Sequence, residues 1–343
     1  MHLIAKYFIK NLIALNDYDS ILLSAVLANI IFSFVTTIYL FKLTRLLFKN
    51  DQLAYLSSMF FIFNPASVFF VAPYSESIFF MLTVTSLYNL YKSNYFASTL
   101  LFSLSCLARS NGLINFLFVG FFIIKAAMSS LLGSNLKTVN TLNLLKLVFC
   151  QKNIIMLSKM LLKLLITLIC FLASFSLYQF YIYNELCLKQ IDQTKIPIEL
   201  LEYGKANSYA MNGFSWCDKF LPFSYTDIQS KYWNVGFLKY WKFRQIPNFL
   251  LATPVLLISV IAIISFLHSI KHKNYLSILF DIKQEKRTSD DTRELFGEYQ
   301  NILFVFALHL IFITITCTFF MHVQVNSLLI ICCFQNFNFS FIQ

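Results

Sequence analysis

Long apolar runs without a single Asp, Glu, Lys or Arg divide this chain, and nothing else restricts its fold so tightly. Residues 20–41, 52–75, 164–184 and 245–270 are such runs, and residues 299–343 contain none of those four types. Three shorter runs, 77–91, 93–108 and 110–124, are separated only by Lys92 and Arg109. A run of about 20 residues crosses a hydrocarbon layer of about 30 Å as an α-helix. The pattern predicts an all-α, polytopic transmembrane helical bundle, with Asn64-Pro65 breaking the second run and one or two spans after residue 299. Composition agrees: only 13% of residues are charged, too few to cover the surface of a soluble domain of this length.

The net charge of +11 would suit a nucleic-acid binder, but its distribution excludes nucleic acid as a partner. Basic residues collect in connectors between apolar runs, as in cytoplasmic loops that orient a membrane protein. Residues 42–51 hold Lys42, Arg45 and Lys49 against Asp51, and residues 125–163 hold six Lys and no acid. Placing both, with the mixed-charge stretch 271–298, in the cytoplasm makes 64–76, 109–112 and 185–245 luminal. The expectation is a single membrane domain over 1–343, with a large luminal loop at 185–245 and a cytoplasmic loop at 271–298. Lys6 and Lys10 interrupt the first apolar stretch and no small-residue cleavage site follows, so no cleavable leader is read there.

Ionisable groups beside short apolar runs come first, because stranding charge in lipid is costly. Glu76, in Ala-Pro-Tyr-Ser-Glu-Ser, is either a carboxylate facing a cavity or a helix-start carboxylate favoured by the dipole, with Ser75 or Ser77 helping to cap. Arg109 has the donors to grip a lipid phosphate, or it anchors a span at the interface, or it pairs with Glu76. Gly112 reads as relief of crowding at a turn. Cys187 and Cys217 share the long loop and could close it with one disulfide in an oxidising compartment. In residues 222–236, aromatics alternate with hydroxyls and amides. That suits sugar binding through Gln229, Trp233 and Asn234, and equally an interfacial helix with Lys231, Lys239, Lys242 and Arg244 near lipid phosphates. Gln245, Pro247 and Asn248 open the next span, and His322 and Gln324 close the one before residue 325. No metal-binding or phosphate-loop motif is present, and no DxD pair that would hold a nucleotide sugar through a divalent metal.

Four blocks in order carry a family likeness: Asn64-Pro65-Ala66-Ser67, Pro73-Tyr74-Ser75-Glu76-Ser77, Ala108-Arg109-Ser110-Asn111-Gly112, and the run from Tyr232 through Trp233-Asn234-Val235-Gly236 to Pro247-Asn248. Together they resemble the PIG-V family of GPI mannosyltransferases over residues 20–325. The resemblance implies a GT-C type glycosyltransferase, multi-pass in the endoplasmic reticulum membrane with a luminal active site. It would transfer the second mannose, α1,6-linked, from dolichyl-phosphate mannose to the mannosyl-glucosaminyl-phosphatidylinositol intermediate. It implies no cofactor and no metal, a lipid-linked donor and acceptor, and an accessory membrane subunit as a further partner.

On the positions that match, the resemblance implies donor-phosphate contacts at Arg109 and His322. Substrate contacts are expected at Asn64, Tyr74, Asn111, Gln245 and Asn248, and, from the aromatic and amide composition of the loop, at Gln229, Trp233 and Asn234. GT-C enzymes carry their key acid in the first luminal loop. Residues 1–19 offer only Asp17 and Asp19, without the family's tryptophan–aspartate context, so the catalytic residue is left unassigned, with Glu76 the candidate and Asp227 a further carboxylate. The likeness also implies that the chain starts beyond that loop and stops before the family's later spans. An inactive fragment or GPI-lipid-binding subunit, or a lipid or solute transporter, stand as alternatives.

Overall fold

The computed structural model describes residues 17–63, 67–132, 151–188, 216–225, 236–239, 241–270 and 291–320, with 198, 202, 227 and 229. Every regular element among them is helical. The α-helices in chain order are α1 (Asp17–Phe48), α2 (Asp51–Ile62), α3 (Val68–Val71), α4 (Glu76–Tyr91), α5 (Tyr95–Ala108), α6 (Phe116–Leu132), α7 (Gln151–Tyr183), α8 (Ile246–Ile270) and α9 (Asp291–Phe320), with short 3-10 or π turns at Ser110–Asn115, Asn184–Leu188 and Phe243–Gln245. Among the described residues, four stretches are long and apolar enough to cross a membrane: Asp19–Phe48, Ser110–Ser130, Asn153–Leu188 and Ala252–Ile270. The chain is a multi-pass, all-α membrane protein.

The breaks between helices have local causes. Asn50 caps α2 by accepting the Leu53 amide hydrogen at 3.0 Å, and Asn94 caps α5 by accepting that of Ala97. Both are side-chain oxygens satisfying helix-start donors that no backbone carbonyl can reach. The run 52–75 divides as expected, into α2, the single turn α3 and an irregular turn at 72–75. Pro254 lies inside α8, where it removes one backbone hydrogen bond.

Two connectors are shorter than the charge pattern suggested. α6 continues to Leu132 and α7 begins at Gln151, so Lys125, Lys159 and Lys163 ride on helices rather than in a loop. The 33-residue α7 is about 50 Å long, more than a bilayer needs, so its charged N-terminal part extends past the hydrocarbon. Likewise the stretch 271–298 is not all loop, because α9 starts at Asp291. Its Asp-Thr-Arg-Glu-Leu opening combines good helix formers with acids at a helix start.

Packing brings α4 against α1 and α5, α7 against α5 and α6, and α9 against α6 and α8. Burial from water cannot drive helices together inside lipid, so close fit and interhelical hydrogen bonds must. Small hydroxyl residues accordingly sit in the contacts: Ser57 donates to Thr44 at 3.1 Å, and Ser86, Ser98 and Ser105 are fully buried. Aromatic rings fill the centre, with Phe102 stacked on Phe118 (6.0 Å) and near Phe171 (6.5 Å), and Phe118 meeting Phe306 and His309 of α9.

Candidate functional site

One end of the bundle gathers the turn 72–75, the start of α4, the end of α5, the ends of α7 and α9 and the start of α8. The broken second run builds its floor. Asn29, in mid-α1, donates to the carbonyls of Ala72 and Tyr74, the latter at 3.0 Å. Ser33 of α1 donates to the Phe70 carbonyl (3.1 Å), and Ser77 of α4 donates to the same oxygen. These side chains satisfy carbonyls that the helix break strands, which is what irregular backbone at membrane depth requires.

Glu76 is the first residue of α4, favourably placed against the helix dipole. Neither neighbouring serine caps the helix: Ser75 makes no capping hydrogen bond and Ser77 is spent on Phe70. Arg109 is the extended residue (φ −152°, ψ 141°) that ends α5 and opens a 3-10 turn, Ser110–Asn115. Its amide donates to Ser105 and its carbonyl accepts from Gly112. Asn115 clips that turn in place, donating to Thr83 of α4 and Ser105 of α5, each at 3.2 Å. A methyl on Gly112 would lie 2.7–2.8 Å from backbone atoms of Ser105 and Cys106. The glycine therefore permits close backbone approach, as the sequence suggested.

These supports bring Glu76 and Arg109 together. Arg109 Nη1 donates to Glu76 Oε1, with the two side chains 22% and 16% exposed. Glu76 Oε2 is buried and has no hydrogen-bond partner among the described residues. Helix lengths set the depth of the pair. About 24 Å of α1 separates Arg45 from Asn29, and about 15 Å more leads up to Asp19. The pair thus lies recessed, below the rim that α1 forms, in a layer about 30 Å thick.

The remaining expected residues are dispersed around this end. Tyr74 is exposed, with its ring 5.9 Å from Phe69, and Asn111 and Gln229 are half-buried. Gln245 and Asn248 pair with each other at 2.6 Å, not with Glu76 or Arg109. Asp227 is buried and lies 3.6 Å from Lys219, while Asp19 is exposed at the start of α1. The structure contains the Cys187–Cys217 disulfide, with Cα atoms 5.7 Å apart. It holds Trp216, fully buried, against Tyr183. Trp241 donates to the Thr318 carbonyl and the Leu238 amide to that of Phe319, tying the aromatic block to the end of α9. Lys239, Lys242 and Arg244 are exposed. Asn64, Trp233, Asn234 and His322 lie outside the described residues, as does the side chain of Asp17.

Sequence reasoning missed Asn29, Ser33 and Asn115. Their signal was present, since each is a polar side chain inside a charge-free apolar run, where it needs a partner.

The chain is similar to known proteins over nearly its full length. The family described as Mannosyltransferase (PIG-V) matches residues 2–339, which extends the likeness beyond 20–325 at both ends. GPI alpha-1,6-mannosyltransferase 2 of Cricetulus griseus is 32% identical over 321 residues, covering 91% of this chain and 60% of that protein. GPI mannosyltransferase 2 of Drosophila melanogaster is 31% identical over 329 residues, with 93% and 66% covered. For GPI alpha-1,6-mannosyltransferase 2 of Homo sapiens the figures are 29% over 308 residues, 89% and 58%. The chain spans less than two thirds of the length of these relatives. No solved structure matches.

Proposed function

Because the chain belongs to the PIG-V mannosyltransferase family, we propose that it serves in GPI-anchor synthesis in the endoplasmic reticulum membrane. It transfers the second mannose, α1,6-linked, from dolichyl-phosphate mannose to the mannosyl-glucosaminyl-phosphatidylinositol intermediate. The names of its relatives support the linkage and the pathway. The transporter reading has no comparable support. The basic helix ends face the cytoplasm and the Glu76 end faces the lumen.

The observation that carries the reading is the recessed Glu76–Arg109 pair, whose Glu76 Oε2 has no partner among the described residues. In the reaction an acceptor hydroxyl oxygen attacks the anomeric carbon of mannose and inverts it. The carbon–oxygen bond to phosphate breaks, its electron pair stays on dolichyl phosphate, and the hydroxyl proton passes to a carboxylate. Glu76 is better suited to orient a sugar hydroxyl through Oε2 than to keep the proton, since protonating it would leave the Arg109 charge unpaired in a partly buried site. Arg109 spends one nitrogen on Glu76, and its other side-chain N–H donors, which bond no described residue, would hold the departing phosphate, stabilising charge as it develops. His322 is its expected partner there. Dolichyl phosphate leaves readily, so no metal is required. Phe237 and Trp241 stand beside the end of α9 at this end of the bundle, where an aromatic face can meet a sugar ring.

The test is expression in cells that lack GPI mannosyltransferase 2, scored by GPI-anchored proteins at the surface. The chain, alone or extended upstream, restores them, and Glu76→Gln and Arg109→Lys at equal abundance do not. Full rescue by both variants would remove the pair from the mechanism, and no rescue by either form of the parent chain would remove the proposed activity.

A further inference from the structure

At the end of the bundle opposite Glu76, a cavity of 530 Å³ opens between the start of α5, the end of α6 and the first half of α7. Its volume falls in the range of about 300–1,000 Å³ usual for small-molecule sites. Phe96, Leu100, Val119 and Ile123 form an apolar wall, and Lys159 and Lys163 stand together at its edge. Residues four apart share one helix face, so both ammonium groups serve the same mouth. Both lysines are exposed and have no carboxylate partner among the described residues.

The depth of this cavity is set by α7. Residues 164–184 are charge-free and extend about 30 Å, one hydrocarbon thickness, so Lys163 lies where acyl chains give way to headgroups. Tyr95 of the cavity lies just after Lys92 in the α4–α5 turn, at the same level. An apolar slot in the acyl layer, capped by paired cations in the headgroup layer, matches the two halves of a charged lipid. The connector 133–150 is no electrostatic substitute, since it brings Lys137 and Lys146 and no acid.

We propose that this groove is a binding site for an anionic glycerophospholipid of the basic leaflet. One acyl chain lies against Phe96, Leu100 and Ile123, and the phosphate rests on Lys159 and Lys163. The site is separated from the Glu76–Arg109 pair by the length of α5, about 20 Å, and does not depend on what that pair does.

The experiment uses the full chain in nanodiscs of phosphatidylcholine. Each contains a trace of either phosphatidylserine or phosphatidylcholine carrying a diazirine in one acyl chain. After irradiation, labelled peptides are mapped. Phosphatidylserine labels 95–103, 119–130 and 156–170 on the order of tenfold more than phosphatidylcholine, as two interfacial lysines would produce. In K159Q/K163Q that preference disappears, and in Ala127→Trp, which fills the slot, labelling by both lipids falls. Equal labelling by the two headgroups in the parent chain overturns the proposal. So does a preference that survives K159Q/K163Q, and so does an unlabelled groove. None of these readouts requires mannose transfer.

Discussion

Removing one partner of the Glu76–Arg109 pair strands the other charge in a partly buried site, so structural and functional roles must be separated by design. Glu76→Ala or Arg109→Ala is expected to cost about 3–5 kcal/mol at most, less whatever solvent reaches the pair. The exchange Glu76→Arg with Arg109→Glu restores much of that loss while moving the guanidinium donors proposed to hold phosphate. Thermal unfolding in detergent and mannose transfer in microsomes, measured together, check this: folding recovers and transfer does not. If transfer recovers as well, the pair is a structural tie only. Glycines give a sharper contrast. Gly112→Ala puts a methyl 2.7–2.8 Å from α5 backbone, which cannot yield as a side chain can, and is expected to cost about 2–4 kcal/mol. Gly120→Ala meets only side-chain atoms at 3.7 Å or more and should leave the melting temperature unchanged. Gly112 was legible in the sequence as crowding at a turn. The atoms that crowd it were not, because they belong to the preceding helix.

Among elements, the divided second run is the most consequential, since it ends in the turn that presents Glu76. Asn29 holds that turn through Ala72 and Tyr74. Asn29→Leu keeps α1 apolar and helical but strips the Tyr74 carbonyl of its donor and leaves the Ala72 carbonyl with the Tyr74 amide alone, at an expected cost of about 1–2 kcal/mol. The sign to look for is faster proteolysis at 72–75 and loss of transfer, with little change in expression. Asn64-Pro65 announced the break, because proline lacks the amide hydrogen a helix needs. Nothing in residues 52–75 announced that α1 would supply the repair. The charged connectors show the opposite failure: Lys159 and Lys163 looked like loop residues because helix and loop differ in backbone hydrogen bonding, not in charge.

For the whole molecule, the alternating helices place two chemically distinct ends across the membrane. Phe220, 99% exposed, lies at the Glu76 end, and Ser93 lies in the tight turn at the Lys92 end. An Asn-X-Thr acceptor in a short insert after Phe220 should be N-glycosylated in microsomes, and the same insert after Ser93 should not. The reverse result would place the Glu76 end in the cytoplasm and reverse the leaflet of the proposed lipid groove. The same preparations should show the Cys187–Cys217 disulfide, which an oxidising lumen permits, as a mobility shift on reduction that Cys187→Ser abolishes.

The sequence by itself determined that this chain is a helical membrane protein, that the run 52–75 divides, and which connectors carry the basic charge. Each follows from neighbours along the chain, because a backbone in lipid must satisfy its hydrogen bonds within its own helix. Tertiary structure alone decided which polar groups meet: Arg109 with Glu76, Asn29 with the 72–75 turn, Asn115 with Thr83 and Ser105, Trp241 with Thr318. Those partners come from different helices. Their meeting depends on how closely helices pack and how far one slides along another, which residues such as Gly112 and Ser105 govern only once the helices are side by side.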